Sequence, residues 1–187
     1  MSPNRRLRVV APPLAALLFA CAGDPPAANP PPRTDGSVAP TSRQAPDDPP
    51  APAPPRVGLG SRTAAVTPLL YGRLRGVGFA GRSHIADDEA LLFVYRTPDE
   101  RAFWMKGCLV PIDVAYLADD GTILERRTLL PPPPGAADDD VPRFPSSRPV
   151  RLVLETRGGL LEESGAAAAG RVVLPPEVAG WLERADR

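Results

Sequence analysis

Proline placement divides this chain before any periodicity is considered. Of its 187 residues 27 are proline, and twelve of these fall among the 35 residues from Ala22 to Arg56. A stretch of Pro, Ala, Asp and Ser has too little apolar surface to offset the entropy of ordering it. Residues 21–56 are therefore read as a disordered, extended tether, reaching roughly 100 Å at about 3.1 Å per residue. From Val57 onward short apolar runs recur between turn signals, so residues 57–187 are read as one folded domain.

The segment ahead of the tether reads as an export signal. Arg5, Arg6 and Arg8 precede the apolar run Val9–Ala20. Twelve helical residues cover about 18 Å, short of a hydrocarbon core of about 30 Å. Leu18-Phe19-Ala20-Cys21 resembles a bacterial lipobox, in which cleavage exposes a cysteine for acylation. The expectation is a signal over residues 1–20, lipidation of Cys21, and a domain held by its lipid on the periplasmic or surface side of a bacterial envelope. Each buried CH₂ of the anchor would contribute about 0.8 kcal/mol. An ordinary signal peptide with an unmodified cysteine is the alternative.

Charge excludes little except polyanion binding. The full chain has 22 basic and 22 acidic side chains. Loss of residues 1–20 removes three arginines and leaves a mildly acidic protein. No field draws in nucleic acid. A lone histidine, His84, and two cysteines leave no zinc ligand set or Ser/His/Asp triad. No phosphate loop or dinucleotide fingerprint is present, so neither cofactor nor metal is expected. Asp138–Asp140 reads as a solvated acidic run rather than a calcium loop. Oligomeric state leaves no mark in the sequence.

The folded part is expected to be mainly β, a sandwich, jelly-roll-like or barrel-like domain with one or two short helices. Expected strands are 65–72, 90–95, 101–106, 112–118, 122–129, 150–156 and 171–174. "ADDGT" at 118–122 predicts a hairpin turn with Gly121 at positive φ. Helices are expected within 158–165 and 175–184. The long loop 131–149 is expected to be functional or disordered, and Phe144 with Ser146 could close over a pocket.

Five blocks in order, "GVGFAGR" (76–82), "EALLFVY" (89–95), "FWMK" (103–106), "PIDVAYLADDG" (111–121) and "VRLVLETRGG" (150–159), resemble the DUF192 family of small bacterial and archaeal domains. The resemblance covers about Arg75 to Pro175. It implies a β-sandwich or jelly-roll fold, frequent export and no assigned biochemical role. This chain departs from the family where Gly107-Cys108 follows FWMK in place of Asn-Thr, and where Arg171 follows Gly170 in place of Asp.

Lys106 is the chain's single lysine, and unlike arginine it is a compact charge that can titrate when buried. Alternation places Trp104 beside Lys106, and sets Asp113, Arg151 and Glu155 opposite the apolar residues of their strands. The five could line one concavity suited to a small polar, sugar-like or anionic ligand. Two alternatives stand beside this binding reading. One is a hydrolase-like enzyme using Lys106 with Asp113 or Glu155; the other is a purely structural surface lipoprotein in which Lys106 and Asp113 form an ion pair. Cys108 is expected to be a buried free thiol.

Overall fold

The computed structural model describes residues 52–186. The expected signal, Cys21 and most of the tether lie outside the described residues. The first strand, β1 (Arg56–Leu59), pairs antiparallel with β2 (Arg62–Leu69) across a tight turn at Gly60. A single helical turn, α1 (Gly72–Arg75), and a loop then lead to β3 (Glu89–Asp99), which runs parallel to β2. Next come β4 (Ala102–Trp104), β5 (Ile112–Leu117) and β6 (Ile123–Leu129). After a 3₁₀ turn at Asp138–Asp140, the chain forms β7 (Arg143–Pro145) and β8 (Val150–Arg157). Three helices close it: α2 (Leu160–Glu163), α3 (Ala166–Ala169) and α4 (Val178–Arg184). The main sheet has the order β1-β2-β3-β8-β5-β6 and curls as a half-barrel, while β4 and β7 pair separately. The domain is mainly β, as its short apolar runs predict.

Burial explains why the middle strands read as continuous apolar runs. All six residues of β5 are buried, as are six of the eight in β8. One face packs Leu92, Leu117, Leu152 and Leu154 against Leu160, Leu161, Val178 and Trp181 of the helical segments. The other packs Phe93, Val114, Tyr116 and Val153 beneath Phe79, Phe103 and Met105. A strand covered on both faces gives no hydrophobic alternation to phase it. Alternation alone groups Leu152 and Leu154 with Val114 and Tyr116, and Glu155 with Asp113. The register corrects this: Val114 pairs with Glu155, Ala115 with Leu154, and Asp113 with Thr156. Glu155 therefore shares the face of Val114 and Tyr116, and Asp113 lies on the opposite one.

Other differences have local causes. Residues 171–174 make only isolated bridges, Thr122 to Arg171 and Gly58 to Val173, and no strand. The loop 131–149 is partly regular, because β7 pairs with β4 and the Tyr116 hydroxyl donates to the Phe144 carbonyl. Two one-turn helices, α1 and α3, join the two that were expected. The 118–122 turn forms as expected, with Gly121 at φ 86° and the Thr122 amide donating to Asp120. A Cβ at Gly121 would stand 2.3 Å from the Val172 carbonyl oxygen, so both conformation and close approach require glycine there.

Candidate functional site

Glu155 is the chemically unusual residue of this fold. It sits mid-sheet on β8, between Leu91 of β3 and Val114 of β5, and is 7% exposed. Its Oε2 has no hydrogen-bond partner among the described residues. Removing a carboxylate from water without a partner disfavours the charged form. Burial accordingly pushes the Glu155 carboxyl up to about 8, which leaves it mostly protonated at neutral pH.

This carboxyl opens into a cavity of about 250 Å³. Phe79, Phe93 and Phe103 form an apolar lining, with Phe93 and Phe103 edge to face at 4.8 Å. The backbone of Gly76–Gly78 forms another wall. Gly78 has φ 52°, and a Cβ on it would lie 3.1 Å from Glu155 Oε2 and 3.4 Å from Phe93 Cζ. Glycine at this position lets the chain pass directly over the carboxyl. Cys108 also lines the cavity; it is a buried free thiol pushed up to about 11, by burial first and then by the charge of Glu155. The thiol is thus a poor nucleophile at neutral pH.

Basic groups stand at the cavity's margin. Arg75 donates to the Leu70 and Val94 carbonyls at 2.7 and 3.0 Å and pairs with Asp186, while its guanidinium lies 4.4 Å from the Tyr95 ring centroid. Trp104 and Lys106 both line the cavity. The indole is attended by two cations, Arg143 at 4.0 Å and Lys106 at 5.3 Å from the ring. Lys106 also pairs with Asp138, with 46% and 60% of the two side chains exposed. Such a pair exchanges readily with solvent and contributes about 0–1 kcal/mol. Lys106→Met is therefore expected to change unfolding free energy by less than about 1 kcal/mol. A loss of about 3 kcal/mol or more in urea would instead mark the lysine as architectural.

The structure thus brings Trp104, Lys106 and Glu155 to one cavity and places two of the residues grouped with them elsewhere. Asp113 is buried and accepts from Thr128 Oγ1 at 2.7 Å, the Gly159 amide at 3.0 Å and the Leu161 amide at 3.0 Å. It ties β5 to β6 and to the start of α2, rather than pairing with Lys106. Arg151 pairs with Asp119 and lines a separate cleft with Pro98 and Pro149. Sequence reasoning missed Arg75, Gly78 and Phe93 as lining residues. The Gly-x-Gly at 76–78 was the available signal, since paired glycines mark close backbone approach.

The family model DUF192, described as "Uncharacterized ACR, COG1430", matches residues 71–174. The chain belongs to the DUF192 family. The matched segment carries every lining residue named above, from Arg75 to Glu155. A similar solved structure is that of a candidate transcription regulator from Sinorhizobium meliloti 1021, with 24% identity and TM-score 0.52, covering 65% of this chain and 96% of that one. Another is a protein of unknown function from Novosphingobium aromaticivorans DSM 12444, with 23% identity and TM-score 0.48, covering 60% of this chain and 77% of that one. No protein of curated function matches. At 24% identity the first of these shows a shared fold alone, and the family's own description assigns no biochemical role.

Proposed function

We propose that this DUF192 protein is a lipid-anchored protein of the bacterial envelope whose domain holds a small ligand in the Glu155 cavity. The observation that carries the binding reading is the partnerless Glu155 Oε2, buried at the wall of an open, largely apolar cavity. A convergent polar group in an apolar concavity is how small-molecule sites are built. A buried group strongly shifted by desolvation, sitting in a cleft, is a functional-site signature. The surrounding groups favour binding over turnover. Asp113 is committed to backbone amides on the other face of the sheet, the Cys108 thiol is held neutral, and among the described residues no side chain hydrogen-bonds Glu155 Oε2, so Glu155 lacks a ready acid–base partner.

The binding reading is tested with the full chain in nonionic detergent, screened by thermal shift against small carboxylates, amides, sugars and amines. Ala102 lies at the exposed rim of the cavity, and Ala102→Trp would close the mouth without entering the core. A ligand at a hundred times its Kd is expected to add about 2.7 kcal/mol to wild type and to leave the blocked variant unmoved. A set that shifts both proteins equally, or neither, would sink the reading.

The anchor reading rests on the lipobox-like Leu18–Cys21 and the basic-apolar segment before it. Cells fed an alkyne-tagged fatty acid are expected to label the wild-type chain and not Cys21→Ala. Equal labelling of both, or of neither, would rule the anchor out.

A further inference from the structure

We infer that the cavity takes a small organic monoanion, a carboxylate whose oxygen accepts a hydrogen bond from the Glu155 carboxyl group and whose charge is met by Lys106. This deepens the binding reading above and rests on it. Three features of the lining favour an anion over a cation. First, the charged side chains of the lining other than Glu155 are Arg75 and Lys106, and a third cation, Arg143, lies against Trp104. The acidic partners of Arg75 and Lys106, which are Asp186 and Asp138, lie outside the lining, so an ammonium beside Glu155 would meet the cations first, whereas a carboxylate would be attracted to them.

Second, an anion already occupies the lysine. Asp138, from the loop ahead of β7, pairs with Lys106 at the rim. Both partners are substantially exposed, so a ligand carboxylate can take over this contact at little cost. Asp138 then acts as a competitor for the ligand's place. Third, four aromatic side chains, Phe79, Phe93, Phe103 and Trp104, stand in the lining, which suits a carbon skeleton with one charged end rather than a multiply charged phosphate ester. A dry cavity of about 150 Å³ accepts benzene, so about 250 Å³ accepts an aromatic ring bearing a carboxylate.

Protonation of Glu155 makes such a ligand pH-sensitive. The neutral acid donates to the ligand; the carboxylate formed above about 8 repels it. The titratable and charged groups facing Glu155 from the packed elements are Arg75 of α1, Tyr95 of β3, Lys106 and Cys108 after β4, and Tyr116 of β5. Burial raises Tyr95 and Tyr116, and pushes Cys108 to about 11. Glu155 therefore governs the range between pH 6.5 and 9.

Calorimetry of the full chain with benzoate, benzamide and benzylamine, at pH 6.5 and 9.0, distinguishes the cases. Benzoate is expected to bind tightest at pH 6.5 and to weaken about tenfold by pH 9.0. In Glu155→Gln, whose amide still donates, that pH dependence should vanish. Asp138→Asn should strengthen benzoate several-fold by freeing Lys106. If benzamide equals benzoate, or benzylamine exceeds it, the cavity is a binding site but not an anion site. If none of the three binds wild type, the anion inference and the binding reading fall together.

Discussion

Asp113→Ala is expected to lower unfolding free energy by about 3–5 kcal/mol. The carboxylate is 3% exposed and accepts three hydrogen bonds, two of them from the amides of Gly159 and Leu161. Hydrogen bonds to a charged acceptor contribute roughly 1.5–3 kcal/mol each, and every buried donor left unpaired costs about 1–3 kcal/mol. Alanine removes the acceptor and leaves two backbone amides and the Thr128 hydroxyl to find other partners. These amides begin α2, whose Leu160 and Leu161 are buried in the helix-side core. The loss should therefore spread into that core. Urea unfolding of the full chain measures it; a loss below about 1 kcal/mol would mean water replaces the carboxylate and the contact is not structural.

Glu155→Gln should have the opposite sign. The carboxyl is raised by burial from 4.5 to about 8 in the folded protein, so the native state retains a proton that the unfolded chain releases. Between those values each pH unit costs the wild type about 1.4 kcal/mol relative to a residue that does not titrate. The direction follows from linkage: the folded state binds more protons, so wild-type stability falls as pH rises from about 4.5 to about 8, and then levels off. Glutamine keeps the shape and cannot ionise. At pH 7 the variant is expected to be more stable by about 2–4 kcal/mol, and at pH 4 nearly equal to wild type. Parallel denaturant titrations at pH 4, 5.5, 7 and 8.5 would reveal the widening gap. A constant difference across that range would show that Glu155 does not titrate as its burial requires.

These two residues also mark what was legible in the sequence. Ile112–Leu117, Ile123–Leu129 and Val150–Arg157 could be found because they are dense apolar runs bounded by turn residues. Gly121 revealed its hairpin for the same reason. The phase of β8 could not be read, since both of its faces are covered and period-two alternation needs one wet face. That loss of phase set Glu155 beside Asp113 when the register separates them. β7 was hidden because its pairing with β4 spans some forty residues and lies in a proline-rich loop, where local composition argues for irregular backbone. Asp113 looked like a partner for Lys106 because its true partners, the amides of residues 159 and 161, are main-chain groups 46 and 48 positions away. Trp104, Lys106 and Glu155 line one cavity, although Lys106 follows β4 rather than standing in it and Glu155 was grouped with them on a strand phase that the register corrects. The isolation of Glu155, the property that gives the cavity its chemistry, is a matter of what surrounds it and not of its identity.

The most direct test of this account is the titration of Glu155 itself. Carboxyl-carbon NMR of the full chain labelled at glutamate, with the resonance assigned by its disappearance in Glu155→Gln, reads the protonation state without any ligand. A midpoint near 8 is expected, with a shift of that midpoint when benzoate is added. A midpoint near the ordinary value of 4.5 would mean that the carboxyl is hydrated or paired in solution, and the cavity would lose the proton on which its proposed function depends.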